Sequence, residues 1–274
     1  MRIDAHQHFW NYEPVKDSWM DEMDILKRNY LPEDLQQNLV QNKIDGCIAV
    51  QADQSENETM FLLHEAEKNE FIKGVVGWVD LQSPHVSDRL KYFKSYPKFC
   101  GVRHILQAEP VGFMLKPEFK EGLKAVHENN LTYDILIYPH QLDDAIKICN
   151  EFPDHKFIID HLAKPNIKKK EIAQWAAQML EIASNKNVYC KLSGLVTEGN
   201  WEKWNEHDFK PYLDIASEAF GEDRLVFGSD WPVCLLAAEY GSVVNIIENY
   251  LAGSSEKTRA KIMGLNAMKF YNLT

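Results

Sequence analysis

Cysteine is scarce and scattered in this 274-residue chain. Cys47, Cys100, Cys149, Cys190 and Cys234 are odd in number, far apart and mostly set in apolar runs such as Cys47-Ile48-Ala49-Val50. No two stand at ligand spacing, which argues against a disulfide framework and a cysteine-type zinc site, and the thiols read as reduced core residues. Positive charge is also short: 30 Lys and Arg stand against 41 Asp and Glu, a formal charge of -11. A nucleic-acid surface, which needs clustered cations to neutralise phosphate, is not expected. The global sign does not by itself favour or exclude an anionic substrate, because one local Arg can override it. No apolar run approaches the roughly 18 residues of a membrane helix, and the N-terminus lacks the charged and apolar regions of a signal peptide. The expectation is a cytoplasmic protein with no membrane partner. No linker, low-complexity stretch or charge block divides the chain, so residues 1–274 are expected to form one domain.

What is present is a series of eight short apolar runs. The first is Met1-Arg2-Ile3-Asp4-Ala5-His6-Gln7-His8-Phe9-Trp10, in which His6 and His8, two residues apart, project from one face of an extended strand. Seven more follow, at residues 46–51, 74–79, 100–104, 133–138, 156–161, 188–193 and 224–230. Near-continuous, β-branched runs bounded by turn residues are what a parallel sheet buried on both faces requires. Helical periodicity fills the intervals, for example over Glu56 to Asn69, Pro117 to Asn129, Leu142 to Glu151 and Lys170 to Ser184, with a last helix from about Ser255 to Phe270. Eight strand-helix units at roughly 30-residue spacing predict a (β/α)8 barrel. A doubly wound open sheet is the other arrangement, but no Gly-x-Gly-x-x-Gly follows the first strand. Two inserts stand out as candidate lids or as simple rim packing: Asn11 to Tyr30 after strand one, carrying Trp19, and Val196 to Asn205 after strand seven, carrying Trp201 and Trp204.

In such a barrel the C-terminal strand ends line the active site. His6 and His8 end strand one, Gln51 strand two, Arg103 and His104 strand four, His161 strand six and Asp230 strand eight. Polar groups placed repeatedly beyond apolar strands imply one shared polar cavity, because each would be costly to bury alone. Asp230 could instead cap a helix before Pro232, Arg103 could pair with a neighbouring carboxylate, and the tryptophans could simply pack.

The motifs His6-Gln7-His8, Ile159-Asp160-His161 and Phe227-Gly228-Ser229-Asp230-Trp231-Pro232, in this order across the chain, resemble the amidohydrolase superfamily. With Gly101-Val102-Arg103-His104, His161-Leu162-Ala163-Lys164-Pro165 and Lys191-Leu192-Ser193-Gly194-Leu195 they are most similar to its amidohydrolase-related branch, which contains sugar-lactone hydrolases such as L-fuconolactonase and L-rhamnonolactonase. The resemblance implies hydrolysis of a sugar-acid lactone to the free aldonic acid. Asp230 would activate water, while His6, His8, His161 and Arg103 polarise the carbonyl. Trp10, Gln51, Trp78, His104, Lys164 and Trp231 are the candidate sugar contacts. Full metal-dependent members carry a further ligand from strand four or five, and none is evident here. The preferred expectation is that no metal is required, the alternative being one Zn2+ on His6, His8, His161 and Asp230. A metal-dependent decarboxylase of the same superfamily and a non-catalytic sugar-binding barrel are the competing readings. A homo-oligomer stays open.

Overall fold

A computed structural model describes residues 1–273. All eight runs form strands: β1 (Ile3–Gln7), β2 (Gly46–Val50), β3 (Ile72–Gly77), β4 (Phe99–His104), β5 (Thr132–Ile135), β6 (Phe157–Ile159), β7 (Val188–Leu192) and β8 (Leu225–Phe227). They pair in chain order, each with the next and all parallel. The ring is nearly closed where β8 meets β1, through a bridge between Gln7 and Trp231 and hydrogen bonds from Asp230 N–H to His6 O (2.8 Å) and from His8 N–H to Trp231 O (2.7 Å). This is a (β/α)8 barrel, and the open sheet is set aside.

The helices around and between the strands are α1 (Pro32–Gln41), α2 (Glu56–Lys68), α3 (Val86–Lys94), α4 (Pro117–Glu128), α5 (Leu142–Glu151), α6 (Ala173–Ile182), α7 (Leu195–Glu198), α8 (Glu206–Phe220), α9 (Tyr240–Tyr250), α10 (Glu256–Ala260) and α11 (Asn266–Tyr271). None of the described helices is long and apolar enough to cross a membrane. Several expected boundaries differ. Strands β3, β5, β6 and β8 stop two or three residues early, because the chain must leave the ladder to aim side chains into the mouth. Helix α6 starts after Lys170, whose φ of +56° cannot continue a right-handed helix. The final helix is broken by a wide turn over Lys261–Leu265. There Gly264 crosses the start of β1 so closely that a Cβ would lie 2.2 Å from Met1 O.

Two apolar layers fix the ring. The larger lies between strands and helices. The smaller fills the barrel's interior with Ile3, Ala5, Ile48, Val50, Val76, Ile158 and Val226, and is closed from below by Phe270 and Tyr271 of α11. The C-terminal helix is thus the plug of the barrel, and what it touches above becomes important.

One surface feature of the lower rim yields a prediction. His127 and His155 stack with centroids 4.1 Å apart and planes within 13°. Burial, with His127 alongside, pushes the half-buried His155 down to about 4. Below its ordinary pKa the unfolded chain takes up a proton that the folded chain refuses, so this site's contribution is complete above about pH 6.5 and is lost as pH falls toward 4. The melting temperature of the wild type should therefore fall more steeply between pH 6.5 and 4 than that of His155→Gln.

Candidate active site

The strand ends build the site through three local departures from regularity. Strict alternation from Ile3 and Ala5 would send His6 the way of Asp4, whose carboxylate accepts hydrogen bonds from Ser229 N–H and from Tyr240 OH on the outer helix α9. A register shift between Asp4 and Gln7 turns His6 inward instead. His161 begins a left-handed turn: φ is +52°, +54°, +57° and +51° over His161, Leu162, Ala163 and Lys164. Each such non-glycine residue costs about 1–2 kcal/mol. The turn is held by Trp175 Nε1–H to Leu162 O at 2.7 Å and Lys164 N–H to His161 O at 2.7 Å. Gly194, with φ +66°, leaves the room His161 needs, since a Cβ there would lie 2.7 Å from His161 Nδ1. Asp230 follows β8 with φ +60°.

These turns place three imidazoles around one carboxylate oxygen. Asp230 Oδ1 lies 3.4 Å from His8 Nε2, 3.8 Å from His6 Nε2 and 3.8 Å from His161 Nε2. His8 Nδ1 donates to Val50 O at 2.8 Å, which turns Nε2 toward that carboxylate oxygen. His161 Nδ1 is engaged by Ser193 Oγ at 2.9 Å. Burial holds His6 and His161 well below the ordinary histidine range, against the pull of Asp160 and Asp230 respectively. For Asp230 burial acts upward, but His161, His8 and Lys164 together outweigh it and leave the carboxyl below its usual value. The arrangement is a carboxylate base set among three imidazoles.

Beneath it lies a buried ionic floor. Arg103 donates from Nη1 to Asp160 Oδ2 at 3.0 Å and stands 3.2 Å from His6 Nε2, while Nη2 donates to the Gln51 carbonyl and to Gln51 Oε1, the latter at 3.2 Å. Lys191 bridges Asp134 at 2.5 Å and Asp160 at 2.9 Å. Burial pushes Asp160 upward, but Lys191, His6 and Arg103 hold it well below the ordinary carboxyl range. Burial likewise lowers Lys191 less than its two carboxylates raise it.

A cavity of about 340 Å³ opens above this floor. Of the residues singled out from sequence, His8, Trp10, Arg103, His161, Lys164 and Asp230 line it, and His6 lies directly behind, against Asp230. The remaining four candidate sugar contacts do not reach it. Gln51 is spent on Arg103. Trp78 donates to His104, which is paired with Glu109 at 3.0 Å and stacked on Phe113. Trp231 is buried against Phe9 and Tyr30. Arg103 both pairs with a carboxylate and faces the cavity, so the two readings of it coexist. The insert after β1 reaches the cavity through Trp19, packed edge-on against Trp10, whereas nothing from 196–205 lines it. Asp134, Asp160, Lys191, Ser193 and Gln107 are not among the residues singled out from sequence as the site. Asp160, Lys191 and Ser193 stand inside motifs that carry the family resemblance but receive no role there, and a charge inside an otherwise apolar strand, as at Asp134 and Lys191, is the available signal.

A family model described as amidohydrolase matches residues 3–273. The chain belongs to the amidohydrolase family. It is 37% identical to a protein of Burkholderia multivorans named L-fucono-1,5-lactonase, over 100% of this chain and 96% of that one. Another L-fucono-1,5-lactonase, from Burkholderia ambifaria, is 32% identical over 99% of this chain and 96% of that one. Among solved structures, a Burkholderia multivorans amidohydrolase with bound zinc superposes with a TM-score of 0.97 at 37% identity, covering 100% of both chains. Membership makes this amidohydrolase a hydrolase, and the residues around Asp230 decide what a metal would find here. One ligand atom each from His6, His161 and Asp230 lie within 4.8 Å of one another, all buried. Buried imidazole nitrogens and a carboxylate oxygen converging on one point are the donor set that suits zinc. The residues fit a divalent ion, so the expectation that none is required finds no support here.

Proposed function

We propose that the chain hydrolyses the cyclic ester of a sugar acid, an aldonolactone of the fucono or rhamnono type, to the free aldonic acid. The observation that carries this reading is Asp230, an ionised carboxylate set among three imidazoles in a cavity that Arg103 also lines. The names of its full-length relatives support the substrate class. Asp230 takes a proton from water as the water oxygen bonds to the lactone carbonyl carbon. Arg103, held in place by Asp160, donates to the oxyanion that forms. The ring C–O bond then breaks, and the proton held by Asp230 passes to the departing ring oxygen. A zinc ion on His6, His161 and Asp230, when bound, would supply Lewis acidity and acidify water. Trp10 and Trp19 offer aromatic faces to the sugar's C–H surface, and Lys164 and Gln107 offer polar ends to its hydroxyls.

The Gln107 amide oxygen is buried with no partner in the protein, a state that costs about 1–3 kcal/mol unless a ligand relieves it. Gln107→Leu should raise KM for the hydroxylated lactone about tenfold, one hydrogen bond's worth, and leave an unsubstituted lactone unaffected. The reading as a whole is tested with a pH indicator against a panel of sugar-acid lactones, with and without chelator. Acid release that chelation weakens is expected, and release from none of them would overturn it. Carbon dioxide evolution from aromatic acids would select the decarboxylase instead.

A further inference from the structure

Lys191 is wholly buried on β7 and has no part in the chemistry just described. Burying an ammonium group costs several kcal/mol unless good partners surround it, and the partners here lead straight to the site. Its Nζ bonds Asp134 at 2.5 Å and Asp160 at 2.9 Å, and lies 3.1 Å from His6 Nδ1. Asp134 accepts a second hydrogen bond from Tyr271 OH at 2.7 Å, so the plug helix α11 anchors the far side.

Which nitrogen of His6 carries the hydrogen follows from its neighbours. Arg103 and Lys191 only donate, and they stand 3.2 Å from Nε2 and 3.1 Å from Nδ1, so each nitrogen faces a donor and the two cations balance. The acceptors decide between the nitrogens: Asp160 Oδ1 is 3.3 Å from Nδ1 whereas Asp230 Oδ1 is 3.8 Å from Nε2, which puts the hydrogen on Nδ1 and the lone pair on Nε2. Asp160 Oδ2 is taken by Arg103 and Oδ1 is turned toward His6 by Lys191. We infer that Lys191 is a positioning residue that clamps Asp160 and thereby keeps the Nε2 lone pair of His6 directed at Asp230. The inference rests on reading this site as a lactonase centre able to hold zinc.

A buried ion pair can be replaced by apolar groups of similar volume without loss of stability, so a merely structural role predicts a silent double variant. Lys191→Met/Asp134→Leu removes one charge of each sign and leaves Asp160 paired with Arg103. The expected result is a fold that melts within a few degrees of wild type, with zinc affinity weakened about 10–100-fold in competition with a chromophoric chelator and kcat lowered on the same scale, at nearly constant KM. Tyr271→Phe deletes one hydroxyl and should weaken zinc about threefold. Wild-type zinc affinity and kcat in a folded double variant would overturn the inference, and if that variant does not fold, unchanged zinc affinity in Tyr271→Phe would do so. Wild-type enzyme that neither takes up zinc nor releases acid from any lactone overturns the functional reading and this inference together. Wild-type enzyme that does both, beside an unchanged variant, overturns the inference alone.

Discussion

Asp230→Asn should lower kcat for lactone hydrolysis by about a hundredfold or more and cost about 1–2 kcal/mol of stability. The activity loss follows from chemistry: an amide cannot accept the water proton, and removing a positioned general base costs on the order of 10²–10⁴ in rate. The stability cost has a separate origin. In the wild type, Oδ1 faces His8 Nε2 at 3.4 Å and two further imidazoles at 3.8 Å, and His161, His8 and Lys164 hold the carboxyl below its ordinary value against burial. The folded surroundings therefore favour the anion, and an uncharged amide forgoes that attraction. Thermal melting of metal-free protein together with steady-state kinetics checks both halves. A variant retaining a tenth or more of wild-type kcat would remove Asp230 as the base and favour a sugar-binding role.

The barrel was legible because its signal is redundant. Eight apolar runs in regular alternation with helices need only one arrangement, and a boundary error at β5 or β6 does not disturb the count. The convergence of His6, His8, Arg103, His161 and Asp230 followed from the same rule, since a strand end needs no knowledge of loops to be placed. Three things did not follow. Trp78, His104 and Trp231 have the chemistry of sugar contacts, yet which way an aromatic side chain leaves a loop depends on neighbours distant in sequence, here Phe113, Phe9 and Tyr30. The ionic floor was hidden for a related reason. Lys191 pairs with Asp134 across 57 residues and the pair is fixed by Tyr271 from the far end of the chain, contacts for which local periodicity holds no trace. The left-handed turn at His161 is the third case: no glycine advertises it, because the glycine that permits it is Gly194, on the neighbouring strand's loop.

A second glycine carries the other large expected effect. Gly228→Ala should cost about 1–3 kcal/mol of stability through overpacking and about a hundredfold in kcat, although position 228 touches no substrate. A Cβ there would lie 2.6 Å from His6 Cβ, 3.1 Å from His6 N and 3.3 Å from Ser193 Cβ. None of these atoms is the free end of a flexible side chain, so β8 must move away from β1. The seam between them is held at this level by Asp230 N–H to His6 O and His8 N–H to Trp231 O. The one place where the ring closes irregularly is therefore also the place that sets the distance from Asp230 to His6 and His8. A displacement of about 1 Å in a catalytic group is enough for a hundredfold loss. Gly253→Ala is the control, because a Cβ at 253 meets nothing within 4 Å. The comparison is read by melting temperature, kcat and zinc uptake. Gly228→Ala with wild-type kcat would show that the seam tolerates an added methyl, and that the spacing of base and imidazoles is set elsewhere.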